Sequence, residues 1–519
     1  MTLQEKIGQK LVVGFQGYAV PETFREAVRR WKLGNVILFK HNVQDKHQLQ
    51  ALCAELQQLI QSETGQPAFI TIDQEGGVVS RLGEDCAIMP GAMAVAASGD
   101  PDNAYRCGLI TGRELRAMGV NFNLAPVLDI NNNPDNPVIG VRSYGDTAEG
   151  VARYGIRMIQ GLEDAGVPAC AKHFPGHGDT AVDSHLDLPM VDKSLDELLQ
   201  CELRPFEAAI RAGVPAMMTT HILFPQIEPE HVPATMSRRI MTDLLKKQLG
   251  FEGLVLSDCM MMQAIASYYG TVPGVVAAAK AGVDMIFTSH SAELGGQACD
   301  ALLQAVQAGE YPVEELDASI EKILRYKKTW LENDAACPGM EDVGSDAHRA
   351  VARSVLGQAL AQTGAPLHPL GDRPVFLGCY AFRPTIASNP EDPSLSFPLW
   401  MAQHLGGRGI PTSIDPTDDE IAALLPQLAD SSCVVLGTYN GHIKRGQLKL
   451  AEAVAHIKPL NVVALRNPYD LFELPSAVSG LAAYAYDPLA LALAAEVLNG
   501  SRVPTGVLPV HPAKRNEKR

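Results

Sequence analysis

The sequence predicts a mixed α/β protein, an N-terminal (β/α)8 barrel followed by a smaller αβα sandwich. Three observations carry this. Eight short apolar runs alternate with segments of helical periodicity through the first two thirds of the chain. A polar stretch punctuated by Pro and Gly then interrupts the pattern, and a shorter α/β alternation resumes after it. The length of 519 residues also exceeds what one hydrophobic core of ordinary size organises.

The eight runs lie at 11–15, 35–39, 68–73, 120–124, 168–172, 215–220, 253–258 and 283–287. Each is five or six residues long, the length of a strand buried on both faces. Between them, 23–31, 47–63, 148–165, 195–212 and 275–282 place apolar residues at helical spacing. Repeated β/α units with right-handed crossovers close into a barrel. A helix over 313–331, with Leu316, Ile320, Ile323 and Leu324 on one face, ends this part. The run from Asn333 to Asp342, containing Pro338 and Gly339, reads as a linker. The predicted organisation is therefore a barrel over 1–332, a linker over 333–348 and a sandwich over 349–519. In the sandwich, strands are expected at 375–379, 433–438 and 461–465, with helices at 417–429, 447–457 and 489–498.

Composition narrows the partners. A hydrophobic content of 46% and a charged content of 20% are those of a folded globular chain. A formal charge of −16 argues against nucleic acid or an anionic membrane, since both require a basic face. A small substrate is expected, and the oligomeric state is left open. The start, Met1 to Lys10, is amphipathic and lacks the basic-then-apolar layout of a secretory signal. No apolar run is long enough to span a bilayer. Ten scattered cysteines without a CxxC pair suit reduced thiols, so a cytoplasmic location is expected.

Barrels carry their chemistry at the C-terminal ends of the strands. Those ends are polar here: Asp73, Lys172-His173, Thr220-His221 and Asp258. The densest cluster, Lys172 to His185, leaves its strand at Pro175 and contains Gly176 and Gly178, which marks a loop over the barrel mouth. Within it, Asp183 stands two residues before His185. A carboxylate there can fix the imidazole tautomer, so that His185 protonates a departing oxygen and later deprotonates a water. The alternative is a loop turn capped by Asp183 and Ser184.

That acid/base pair is half of a retaining glycoside hydrolysis, and the other half needs a carboxylate nucleophile. Asp258, closing Gly253-Leu254-Val255-Leu256-Ser257, occupies a strand-to-loop handover where it could attack an anomeric carbon. Its alternative role is the N-cap of the next helix. Arg81 and Arg142 offer planar forks for sugar hydroxyls or a carboxylate, or else make ion pairs. A metal reading uses His173, His177, Asp183 and His185, a common zinc set, but Pro175 and Gly176 keep His173 and His177 off one helical face.

Taken together, Ile72-Asp73-Gln74-Glu75-Gly76-Gly77, Arg142-Ser143-Tyr144-Gly145, the Lys172 to His185 run and Leu256-Ser257-Asp258 resemble the β-N-acetylglucosaminidases of glycoside hydrolase family 3. The resemblance implies Asp258 as nucleophile and His185 with Asp183 as acid/base dyad. It also implies Asp73, Arg81, Arg142, Lys172 and His173 as the residues holding the terminal sugar, with no cofactor. Most of the family uses a carboxylic acid in place of the histidine, so the Asp-Ser-His dyad points to the N-acetylglucosaminidase branch. A phosphorylase is the neighbouring possibility, because a neutral imidazole does not repel an incoming phosphate. The C-terminal part is also similar to family 3 at Asn467-Pro468-Tyr469-Asp470, Ala483-Tyr484 and Gly500 to Val510. Packing, dimerisation and substrate gating are all open roles for it.

Overall fold

Each of the eight apolar runs of the first part forms a strand, and the strands pair side by side because their backbone groups are buried where only a neighbouring strand can satisfy them. The computed structural model describes residues 1–180, 188–332, 338–382, 388 and 393–512. Its first sheet contains β1 (Leu11–Val13), β2 (Asn35–Leu38), β3 (Phe69–Ile72), β4 (Phe122–Asn123), β5 (Cys170–Phe174), β6 (Ala216–Thr219), β7 (Leu254–Cys259) and β8 (Met285–Thr288). The order is β4-β3-β2-β1-β8-β7-β6-β5, and every pairing is parallel.

The two ends of this sheet meet at an irregular seam. Isolated bridges join Asn123 to Ala169 and Val127 to Lys172. The Cys170 N–H donates to the Ala125 carbonyl at 2.9 Å, and the Leu128 N–H donates to the Lys172 carbonyl at 2.6 Å. Pro126 lies inside the seam and has no N–H to give, which explains why β4 stops after two residues while the ring still nearly closes.

The helices follow the predicted alternation with one break. The segment expected as one helix over 195–212 is two, Leu195–Gln200 and Arg204–Arg211. Pro205 sits in the first turn of the second, where its missing N–H is harmless, but it cannot continue a helix running in from before.

The second sheet has the order β11-β10-β12-β13-β14-β9. It is built from β9 (Ala361–Gly364), β10 (Val375–Gly378), β11 (Arg408–Pro411), β12 (Val434–Thr438), β13 (Leu460–Ala464) and β14 (Ser479–Ala482). All its pairs are parallel except β14 with β9. The central strands β10, β12 and β13 are the three apolar runs of the sequence. The other three were not expected: β11 and β9 are partly exposed, and β14 reads Ser-Gly-Leu-Ala, a poor strand former on propensity.

The two parts share packing. The helix Asp346–Ala359 puts Ala352 and Val355 into the barrel's core and Leu356 and Ala359 into that of the sandwich. Met93, Ala94, Ala97 and Val141, from the barrel side, also join the sandwich core. Near the C-terminus the chain returns to the barrel, where the Val507 N–H donates to the Ala97 carbonyl at 2.9 Å and the His511 N–H donates to Asp146 Oδ2 at 2.7 Å. No helix among the described residues is long and apolar enough to cross a membrane.

Candidate active site

A cavity of about 500 Å³ opens at the C-terminal ends of the barrel strands. Asp73, Arg81, Arg142, Lys172, His173 and Asp258 all line it. Six of the eight residues singled out from sequence are thus brought to one place from β3, β5, β7 and two loops. The other two, Asp183 and His185, lie outside the described residues.

The floor is an ion network. Lys172, in the middle of β5 and only 2% exposed, sets its ammonium 2.7 Å from Asp73 Oδ1 and 2.6 Å from Glu75 Oε1. Arg142 approaches Glu75 side-on, with Nε to Oε2 and Nη2 to Oε1 both at 2.9 Å. Burial pushes the Glu75 carboxyl upward, but the charges of Arg142 and Lys172 outweigh it and hold the group far below the usual carboxylate range. Burial opposes the charge on Lys172 too, and Asp73 and Glu75 restore it, leaving its pKa raised.

The local chain explains how Glu75 arrives there. Gly76 and Gly77 both have positive φ, at 91° and 53°. A Cβ on Gly76 would stand 2.8 Å from the Met89 carbonyl, and one on Gly77 would stand 2.7 Å from Gly91 Cα. The chain can turn back so tightly only with glycines at these places. Gln74 closes the turn by accepting the Arg81 N–H at 2.8 Å, which sets Arg81 on the cavity wall.

The opposite wall is organised by Asp129, fully buried after the seam. It accepts from His173 Nδ1 at 2.7 Å and from the His177 N–H at 2.7 Å. Burial raises the Asp129 carboxyl and the two histidines more than reverse that. Since the carboxylate accepts a hydrogen bond from Nδ1–H, His173 presents Nε2 on its other edge. His177 also lines the cavity. Burial, then the neighbouring His173, lowers its pKa to about 4, and its Nδ1 pairs with Thr180 Oγ1 at 2.9 Å. Asn136 ties the loop root down by donating to the His177 and Gly178 carbonyls at 2.8 and 2.9 Å. A Cβ on Gly178 would lie 1.6 Å from the Ile130 carbonyl oxygen, so this close approach requires glycine.

Asp258 is half-exposed at the end of β7, with Oδ1 accepting the Cys259 N–H at 2.7 Å. It does not cap the next helix: Gln263–Ala266 begins after Met262. His221, named among the strand ends, turns away from the cavity. Its Nε2 lies 3.0 Å from the Cys259 carbonyl and its Nδ1 lies 2.9 Å from Thr235 Oγ1, which braces the strand end that carries Asp258.

The forks of the two arginines part company. Arg142 is committed to Glu75, whereas Arg81, Lys40, His41 and His290 stand around the mouth. Glu75 and Asp129 were not selected from sequence, and His177 was selected only as part of the metal reading. Glu75 was visible two residues past Asp73, but no periodicity marks it. Asp129 follows an apolar run that breaks at Pro126, which hid its place at a strand end. For the metal reading, His173 and His177 meet edge to face at 5.7 Å between ring centroids, each with Nδ1 held by protein oxygen. Among the described residues no three His, Cys, Asp or Glu side chains converge on an ion position.

Comparison with known proteins gives this geometry relatives. Residues 2–326 match the glycosyl hydrolase family 3 N terminal domain. A protein named beta-hexosaminidase A from Pseudoalteromonas piscicida is 34% identical over 388 residues, 67% of this chain and 65% of that protein. A beta-hexosaminidase from Thiobacillus denitrificans is 36% identical over 271 residues, 51% of this chain and 74% of its own length. Among solved structures, a glycoside hydrolase family 3 beta-N-acetylglucosaminidase from Paenibacillus sp. is 38% identical. It superposes with a TM-score of 0.89 over 98% of this chain and 99% of that one. With its barrel matched almost end to end and the sandwich included in the superposition, the chain belongs to glycosyl hydrolase family 3.

Proposed function

We propose that this chain is a retaining, exo-acting β-N-acetylglucosaminidase that removes terminal β-linked N-acetylglucosamine from muropeptides or chitooligosaccharides. The observation that carries the reading is the gathering of Asp258 with Asp73, Lys172, His173 and Arg81 around one barrel-mouth cavity. The full-length likeness to a beta-N-acetylglucosaminidase supports it.

In this reading Asp73, Lys172 and His173 take the hydroxyls of the terminal sugar, with Arg81 at its rim. Arg142 acts one step back, holding Glu75 and through it Lys172. Asp258 attacks the anomeric carbon and forms a covalent glycosyl ester, while His185, its tautomer set by Asp183, gives a proton to the leaving oxygen. His185 then takes a proton from water, which opens the ester and returns Asp258 to its carboxylate form. Carboxylate and imidazole complete the chemistry without a cofactor. The nine described cysteines are free thiols, which supports a reducing, cytoplasmic setting.

Incubation with p-nitrophenyl β-N-acetylglucosaminide and with a muropeptide, with and without phosphate, followed by mass spectrometry, tests the reading. Free N-acetylglucosamine in both conditions is expected. Release of β-N-acetylglucosamine 1-phosphate in its place, phosphate opening the ester with the same retention as water, would make the protein a phosphorylase, and loss of activity on chelation would turn it into a metal-dependent hydrolase.

A further inference from the structure

We propose that the sandwich serves as a positioning device for the cavity, acting through Tyr469, whose hydroxyl fixes the shape of the loop that carries Asp129 and Arg142. The proposal rests on the reading of the cavity given above. Tyr469 follows β13 in a short helical turn, is 4% exposed, and is not among the cavity-lining residues. Asn131 Nδ2 donates to the Tyr469 hydroxyl at 2.7 Å, and that hydroxyl donates to the Asn131 carbonyl at 3.2 Å.

Asn131 is the clasp of the loop. Its Oδ1 accepts the Gly140 N–H at 3.1 Å, and its own N–H donates to the Gly145 carbonyl at 2.9 Å. Two residues before the clasp is Asp129, which orients His173 and anchors His177. Within the closed loop is Arg142, which holds Glu75 against Lys172. One phenol therefore bears on both walls of the cavity without touching it.

Two further residues of the sandwich grip the same loop from outside. Asn467 packs on Gly140, where a Cβ would come within 2.6 Å of Asn467 Oδ1. His442 Nε2 lies 3.2 Å from the Pro134 carbonyl, with its Nδ1 held by Asp470 at 2.8 Å. A packing surface alone would need apolar contact. Here the buried polar side chains of Tyr469 and His442, from the segments after β13 and β12, bond directly to loop atoms, and such matches fix a shape.

The test is Tyr469→Phe in the full chain, which keeps the ring and removes both hydrogen bonds. Losing one net hydrogen bond's worth of loop order should raise KM for p-nitrophenyl β-N-acetylglucosaminide about three- to tenfold. kcat should change less than KM does, and the melting temperature should stay close to that of the wild type. Asn131→Ala should raise KM similarly, and adding Tyr469→Phe to it should change little further, because both act through one contact. Amides of residues 129–146 should exchange with deuterium faster in Tyr469→Phe. An unchanged KM with unchanged exchange, or a lower melting temperature with unchanged KM, would overturn the proposal. Inactive wild-type protein would sink the glycosidase reading instead, and the exchange experiment would still decide this one.

Discussion

Glu75 and Arg142 meet through two hydrogen bonds of 2.9 Å each, with side chains 7% and 5% exposed, and Lys172 completes the cluster 2.6 Å from the same Glu75 oxygen. The carboxylate is thus the common counter-charge of two buried cations.

Replacing it tests how much the floor of the cavity depends on that charge. Glu75→Gln keeps the shape and leaves Arg142 without its ion partner and Lys172 with Asp73 alone. Breaking a buried pair in this way costs about 3–5 kcal/mol. Urea unfolding should show a loss of this size, together with a raised KM for the aryl glycoside. A variant as stable as the wild type would show that water or Asp73 compensates fully.

Acid stability should carry the signature of His177. Its folded pKa is lowered to about 4 from a reference of 6.5, so between those values the unfolded chain binds a proton that the folded chain refuses. Stability therefore rises with pH across this window and is lost on acidification from 6.5 to 4. The difference corresponds to roughly 3 kcal/mol for a fully buried group. Comparing thermal unfolding of the wild type and His177→Gln across this range isolates the effect, since other groups titrate in both proteins. The variant's curve should be flatter, and parallel curves would refute the assignment.

Catalysis should divide between Asp258 and His185 according to the leaving group. Asp258→Asn should lose turnover by about three orders of magnitude or more on any substrate, because no glycosyl ester can form. His185→Ala should slow a chitooligosaccharide severely and a nitrophenyl glycoside much less, since nitrophenolate departs without a proton. Steady-state rates on the two substrates decide it: full activity of Asp258→Asn, or equal losses for His185→Ala on both, would break the mechanism.

The sequence by itself determined the eight barrel strands and β10, β12 and β13, because these apolar runs are buried and leave a signature in composition alone. It also determined which polar residues close those runs, and so Asp73, Lys172, His173 and Asp258 could be named before any distance was known. Tertiary structure decided the rest. Only folding showed that Arg142 spends its fork on Glu75, that His221 faces the Cys259 carbonyl and not the cavity, and that Asp129 organises two histidines 44 and 48 residues further along the chain. The physical reason is that burial is written locally, in the run of apolar side chains around a residue. A charge, by contrast, takes its role from whichever partner the fold delivers, and that partner can lie anywhere in the sequence, as Tyr469 lies 338 residues from Asn131.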